Sequence, residues 1–185
     1  MRRTRLSVVL VALASTMVCA LGAAHALTTS SIDLVPASAA VAACLPDATG
    51  EVTVFHKHEA LGVDILQLHA SGLPANVDFA VFLTSADAFA SPAFGATTYV
   101  GSFTTNAAGI GALRVATVIG EAFVSSRVDT TRVRADLDHL VFWFADPAQA
   151  QAACGLTAIT PFDGDGDAGG AAMSSEGATG LETLP

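Results

Sequence analysis

Two histidines at alternate positions form the first pattern in this sequence that could do chemistry. His56 and His58 are separated by one residue, and the segment 51–56 alternates β-branched and polar residues as a strand does. Side chains at i and i+2 of a strand share a face, so both imidazoles could ligate Zn²⁺ or Cu²⁺, with His69 or His139 as a third ligand. The pattern makes His56, His58 and His69 a candidate metal site. The alternative is a polar strand end that enters a loop.

Alternating aspartates near the C-terminus are the second candidate. Asp163, Asp165 and Asp167 have the D-x-D-x-D spacing with which carboxylates converge on Ca²⁺. Ala168 stands where such a loop has its glycine, and Ser174 stands where it has a bidentate glutamate. The sequence therefore favours a solvated acidic stretch, with Ca²⁺ binding as the alternative.

Nucleophilic catalysis finds no pattern to support it. The sequence has no Gly-x-Ser-x-Gly elbow, and its scattered glycines form no phosphate-binding loop. We therefore expect a protein without catalytic activity.

The N-terminus has the three parts of a secretory signal peptide. Arg2, Arg3 and Arg5 give a positive start, residues 6–24 are uncharged and largely apolar, and Ala24-His25-Ala26 is a small-x-small cleavage site. We expect residues 1–26 to be removed after Ala26 and the mature chain to be secreted. An uncleaved membrane anchor is the alternative, and the apolar stretch is marginal in length for it.

Removal of the signal makes the chain more acidic. The formal charge of −9 includes three arginines of the signal, so the mature chain carries −9 − 3 = −12. Five basic residues remain, which are Lys57, Arg114, Arg127, Arg132 and Arg134. Such a chain gains little counterion-release energy from phosphate backbones, so we expect no nucleic-acid partner. We also expect no stable membrane insertion after signal cleavage, because no second hydrophobic segment approaches spanning length.

Cysteine content predicts one disulfide. Cys19 would leave with the signal, and Cys44 and Cys154 would remain in an oxidising compartment, where an even pair most simply forms a bridge. Two free thiols or a cysteine-based metal site are the alternatives, and the absence of a CxxC spacing argues against the latter.

The mature chain divides into three regions by composition. We expect a Ser/Thr/Ala-rich linker over 27–43 with one edge strand near 32–35, a folded domain over 44–162 and a disordered acidic tail over 163–185, which lacks aromatic residues. Within the domain, short apolar runs alternate with Gly- and Pro-containing turns. This spacing predicts an all-β fold, an antiparallel β-sandwich of the Ig-like kind.

Two further elements are predicted near the end of that domain. Residues 140–144 form the most apolar run, which indicates a central strand buried on both faces. Pro147 would open a short helix that ends near Ala153, because proline is favoured at the first helical position.

Several structural motifs carry a resemblance. They are Gly72-Leu73-Pro74 leading into an aromatic strand up to Leu83, Tyr99–Asn106 followed by Gly109-x-Gly111, the run 142–147, and the run 161–165. Over about 44–167 the chain resembles uncharacterised secreted actinobacterial-type proteins with an Ig-like β-sandwich domain. The resemblance implies a fold and brings no catalytic residues. The His-x-His pair is similar to that of copper/zinc superoxide dismutases, whose other histidines and zinc-site aspartate are not matched here.

Together these features predict an exported, non-catalytic β module with a binding, adhesion or envelope-structural role and an extracellular or cell-envelope partner. The alternative is a metal-binding protein or metal-dependent enzyme that uses the histidines or the aspartate run.

Overall fold

The computed structural model describes residues 29–58, 62–85, 96–119, 122–162 and 166–175. These residues form twelve strands and two helices. In chain order the elements are β1 (Thr29–Pro36), α1 (Ala39–Cys44), β2 (Thr49–His58), β3 (Val63–Ser71), β4 (Asp78–Thr84), β5 (Thr97–Thr104), β6 (Gly111–Thr117), β7 (Phe123–Val128), β8 (Thr131–Asp136), β9 (His139–Phe144), α2 (Pro147–Cys154), β10 (Thr160–Phe162), β11 (Gly166–Ala168) and β12 (Ala171–Ser175).

Eight of the strands form one continuous sheet. Its order is β5-β4-β9-β12-β1-β2-β3-β6, and every neighbouring pair is antiparallel. The predicted all-β, antiparallel class is therefore confirmed. The Ig-like sandwich is not confirmed, because these eight strands do not separate into two packed sheets.

The sheet curls until its two edge strands touch. A Cβ atom at Gly111 of β6 would lie 2.4 Å from the Phe103 ring of β5, and one at Gly101 would lie 3.2 Å from the Leu113 side chain. The absence of side chains at these two positions thus allows β5 and β6 to approach, and the sheet becomes a nearly closed barrel.

Alternation along the strands fills the barrel interior. Apolar side chains at every second position of the long strands point inward, as the two-residue period of a strand requires. Phe79 lies at the centre of an aromatic group, with ring centroids 5.0 Å from Phe144 and 5.3 Å from both Phe103 and Phe142. Burial of these rings is a major source of stability.

Strand β9 is buried on both faces, as its sequence predicts. Phe142 faces the barrel interior, whereas Val141 and Trp143 face outward and are also buried. On the outside, Trp143 packs edge-to-face on Phe82 with a centroid distance of 4.6 Å, and Ala168 of β11 packs against this second cluster. The strand lies between β4 and β12, so its central position is confirmed.

Both helices cover one end of the barrel, which we call the closed end. It is the end at which β1, β3, β5 and β9 finish. Val41 of α1 and Ala150 of α2 are buried in the core. The predicted disulfide joins the last residues of the two helices, Cys44 and Cys154, whose Cα atoms are 5.5 Å apart.

Helix α2 begins where the sequence predicts it. Pro147 occupies the first turn, the carboxylate of Asp146 accepts a hydrogen bond from the N–H of Ala148 at 2.7 Å, and Gly155 ends the helix with a φ of 64°. An N-cap carboxylate and a left-handed C-cap glycine each satisfy backbone groups that the helix leaves free.

The opposite end, which we call the open end, carries the β7–β8 hairpin. This hairpin forms its own two-stranded sheet, whose base is closed by a hydrogen bond from Leu137 N–H to Ala122 C=O, and Ala122 N–H donates in turn to Ile119 C=O, two residues after β6. Its turn residue Asp129 adopts a φ of 56°, a conformation that aspartate tolerates better than most residues.

Residues outside the predicted domain complete the barrel. β12 lies between β9 and β1, inside the segment 163–185 that composition predicts as a disordered tail, and Met173 of this strand is fully buried. β1 comes from the predicted linker and is a central strand, not an edge strand. Small side chains suffice at 171–175 because the aromatic residues of neighbouring strands supply the bulk of the core.

Candidate functional site

A cavity of about 340 Å³ lies at the open end, between the two edge strands of the barrel. The strands touch through Gly101 and Gly111 nearer the closed end, and the cavity lies where they part. The residues that shape it include Leu83, Thr98, Tyr99, Val118, Phe123 and Leu137. The cavity is thus bounded by β4, β5, the end of β6 and the base of the hairpin.

Large apolar side chains stand half-exposed around the cavity. Tyr99 and Phe123 are each 50% exposed and Val118 is 48% exposed. The Tyr99 hydroxyl lies 2.8 Å from the Ser102 hydroxyl, within hydrogen-bond distance on the same strand. A concave surface with aromatic walls and few polar groups is typical of small-molecule sites.

Three arginines share one face of the β7–β8 hairpin. The register pairs Arg127 with Arg132, Ser125 with Arg134, and Phe123 with Asp136, so all six side chains lie on the same side. Arg127, Arg132 and Arg134 are exposed, and we call these three residues the arginine face. They are three of the eight lysine and arginine residues of the chain.

Phe123 connects the cavity to the arginine face. Phe123 is one of the residues that line the cavity, and the guanidinium carbon of Arg134 lies 4.2 Å from its ring centroid in a cation–π arrangement. Arg134 also forms an ion pair with Asp136 on the same strand. An apolar surface and a cationic surface therefore adjoin at the open end.

Polar side chains occur inside the barrel at the same end. The Ser30 hydroxyl lies 2.6 Å from His56 Nε2 across β1 and β2, and the Asp64 carboxylate on β3 accepts a hydrogen bond from the Ile119 N–H at 2.8 Å. Ser30 and Asp64 are both buried. These three side chains lie on adjacent strands, and a serine bonded to an imidazole is the arrangement used to activate a hydroxyl nucleophile.

The structure separates the histidines predicted as metal ligands. His56 points into the barrel toward Ser30, whereas His69 is exposed on the outer face of β3, opposite Glu51. The side chain of His58 lies outside the described residues. In the described ranges, no group of three or more His, Cys, Asp or Glu residues is placed to hold a metal ion. Zn²⁺ or Cu²⁺ binding at these histidines stays a prediction.

The aspartate run is described only in part. Asp163 and Asp165 lie outside the described residues, and Asp167 is exposed on β11, paired with Pro161 of β10. Ca²⁺ binding there likewise stays a prediction. The signal peptide 1–26 and its cleavage site after Ala26 lie outside the described residues as well. Among the helices that are described, none is both long enough and apolar enough to cross a membrane.

Sequence reasoning missed both the arginine face and the Ser30–His56 pair. The run Arg127-Val-Asp-Thr-Thr-Arg132 contains a usable signal, because two residues at its centre, Asp129 and Thr130, form the turn and so place the flanking arginines opposite each other. No comparable local signal joins Ser30 to His56, which are 26 residues apart. Comparison with family models, with curated proteins and with solved structures finds no match to this chain.

Proposed function

We propose that this protein is an exported, non-catalytic binding module whose ligand site is the cavity at the open end. One observation carries the proposal, namely a concave, mainly apolar site with two half-exposed aromatic residues among those that line it. Exposed apolar groups of this kind cost solubility, so their concentration at one cavity points to a ligand that covers them.

The size and composition of the cavity fit a small ligand. Its volume of about 340 Å³ lies at the lower end of the range usual for small-molecule sites, which is about 300–1,000 Å³. Its walls come from strands anchored in the core, since Leu83 and Leu137 are almost fully buried. A preformed wall lowers the entropy lost on binding.

Export to an extracytoplasmic compartment is part of the proposal. It is supported by the signal-like N-terminus and by the Cys44–Cys154 disulfide, because such bridges persist in oxidising compartments. The proposal needs only the antiparallel β framework and is independent of an Ig-like strand order.

Binding of a neutral fluorescent probe tests the site. N-phenyl-1-naphthylamine is apolar and uncharged, and its fluorescence rises in apolar surroundings. We expect saturable binding at one site of the oxidised mature protein. The substitution Val118→Trp should weaken binding at least about tenfold, because a large ring at the border fills the cavity.

The matched control is Ile110→Trp. Ile110 is also an exposed apolar residue, 39% exposed, but it lies in the β5–β6 connection at the closed end. This variant should bind the probe as the wild type does. Absence of saturable binding, or equal losses in the two variants, would overturn the proposed site.

A second candidate function is acyl transfer by Ser30, and the Ser30–His56 contact of 2.6 Å is the observation that favours it. Ser30 is 6% exposed, so access to a substrate is restricted, and for this reason we place hydrolysis second. A fluorophosphonate probe decides the matter. Covalent labelling of the wild type that is lost in Ser30→Ala and retained in Ser31→Ala would establish a reactive serine.

A further inference from the structure

We infer that the ligand of the open-end cavity is an amphiphilic anion, with an apolar or aromatic part in the cavity and a carboxylate, sulfonate or phosphate group on the arginine face. The inference rests on the proposed function and adds the chemical class of the ligand. Two observations carry it: the register that gathers the arginines and the shared residue Phe123.

The charge distribution of the chain makes this face exceptional. The mature chain carries a formal charge near −12, and three of its five basic residues project from one side of a single hairpin. Distant anions are repelled by such a chain, whereas contacts within a Debye length, about 8–10 Å, are governed by the nearest charges. The arginine face is therefore a local site for an anion on an acidic protein.

The arrangement of the arginines leaves positive charge uncompensated. Arg127 and Arg132 lie directly opposite each other, and like charges at such positions destabilise a strand pair. Arg134 has Asp136 as an ion-pair partner, but in the described part of the hairpin neither Arg127 nor Arg132 contacts a carboxylate. A bound anion would neutralise this pair through bidentate hydrogen bonds, for which the guanidinium group is well shaped.

The distance between the two surfaces sets the shape of the ligand. Phe123 and Arg127 are four residues apart on β7, which corresponds to about 14 Å along a strand. The long arginine side chains shorten the gap. Arg134 bridges it, because its guanidinium carbon lies 4.2 Å from the Phe123 ring centroid, so a molecule with its apolar part beside Phe123 and its anionic group close to that part reaches the arginine face.

Two probes that differ only in charge test this inference. 1-Anilinonaphthalene-8-sulfonate has the ring system of N-phenyl-1-naphthylamine and carries a sulfonate in addition. We expect the sulfonate to bind the mature, oxidised protein at least about tenfold more tightly than the neutral probe, as charge-assisted hydrogen bonds predict. High salt should weaken binding of the sulfonate and leave the neutral probe unchanged.

Arginine variants locate the anion site. Arg127→Gln combined with Arg132→Gln should lower the affinity for the sulfonate to that for the neutral probe, without changing the neutral probe's own affinity. Arg114→Gln is the matched control, because this arginine is exposed in the middle of β6 opposite Gln67 and away from the hairpin. The double variant Arg127→Lys and Arg132→Lys keeps the charge, and it should retain part of the preference.

The outcomes separate the two proposals. Equal affinities for the two probes, or an equal loss in Arg114→Gln, would overturn the anionic class and leave the cavity proposal standing. If neither probe binds saturably, the proposed site itself fails. If the double glutamine variant loses binding of both probes, the hairpin has lost its shape. The lysine variant then decides: a reduced but retained preference for the sulfonate with intact neutral binding supports the inference, and a preference equal to that of the wild type overturns it.

Discussion

The two ends of the barrel are built from the same strands but differ in what covers them. At the closed end two short helices insert Val41 and Ala150 into the core, and a disulfide joins the helices to each other. At the open end a separate hairpin stands beside a cavity, and Tyr99 and Phe123 remain half-exposed. The comparison shows that covalent and packing constraints are concentrated away from the surface that we propose binds a ligand.

Two polar features at the two ends also differ in their surroundings. At the closed end the Thr105 hydroxyl accepts a hydrogen bond from the Val77 N–H at 2.9 Å and donates one to the Pro74 carbonyl at 2.6 Å. At the open end Ser30 contacts a half-buried histidine, and an exposed arginine pair has no carboxylate partner on its hairpin. The buried hydrogen bonds of Thr105 contribute stability, whereas the arginine pair leaves exposed positive charge available to a ligand.

The largest expected effect comes from removing the disulfide. Replacing both Cys44 and Cys154 by alanine should lower the free energy of unfolding by about 4–5 kcal/mol, because the bridge spans a sequence separation of 110 residues and restricts the unfolded chain. Urea unfolding of the mature protein measures the loss. Reduced wild type should match the double variant. A loss below about 1 kcal/mol would show that the closed end is held by packing alone.

The second-largest loss of stability is expected when buried hydrogen bonds of the closed end are removed. Thr105→Val keeps the side-chain shape and removes the hydroxyl, which leaves the Val77 N–H and the Pro74 carbonyl without this partner. We expect a loss of about 2 kcal/mol in thermal or urea unfolding. The neighbouring Thr104→Val removes an exposed hydroxyl that bonds to Asp78, and it should change stability by less than about 0.5 kcal/mol. Equal effects would contradict the comparison.

A smaller effect is expected for the inward-facing serine of the open end. Ser30→Ala removes the partner of His56, but the histidine is only half-buried and can bond to water, so the loss should be about 1 kcal/mol. Ser31→Ala, one position along β1 on the outer face, provides the control and should be close to neutral. A loss at Ser30 as large as that at Thr105 would mean that the two ends are equally constrained.

The smallest expected effect is a gain in stability, not a loss. Arg127→Gln should stabilise the hairpin by about 0.5 kcal/mol, because it removes the like-charge pair with Arg132. Slower amide hydrogen exchange in β7 and β8 at low salt would report it, and high salt should abolish the difference. Arg114→Gln, which faces Gln67, should leave exchange in the hairpin unchanged. Faster exchange in Arg127→Gln would show that the arginine pair is not a source of strain.

Much of the strand content follows from local patterns, whereas the site does not. The apolar run of β9 and the Pro147 start of α2 lie where the sequence predicts them. The buried strand β12 is not predicted, because its small residues have the composition of a flexible tail. They form a strand through pairing with β9 and β1. The sequence does not predict the cavity either, because the cavity forms where the edge strands β5 and β6 separate at the open end.

The sequence by itself determines the alternation that fills the barrel and the acidity of the chain, and it predicts the Cys44–Cys154 bridge that the structure contains. These are properties of composition and of short-range spacing. Only the tertiary structure decides that β5 approaches β6, that Ser30 meets His56 and that Phe123 joins a cavity to the arginine face. Each of these contacts joins separate strands through the curl and register of the whole sheet, and no local pattern records that geometry.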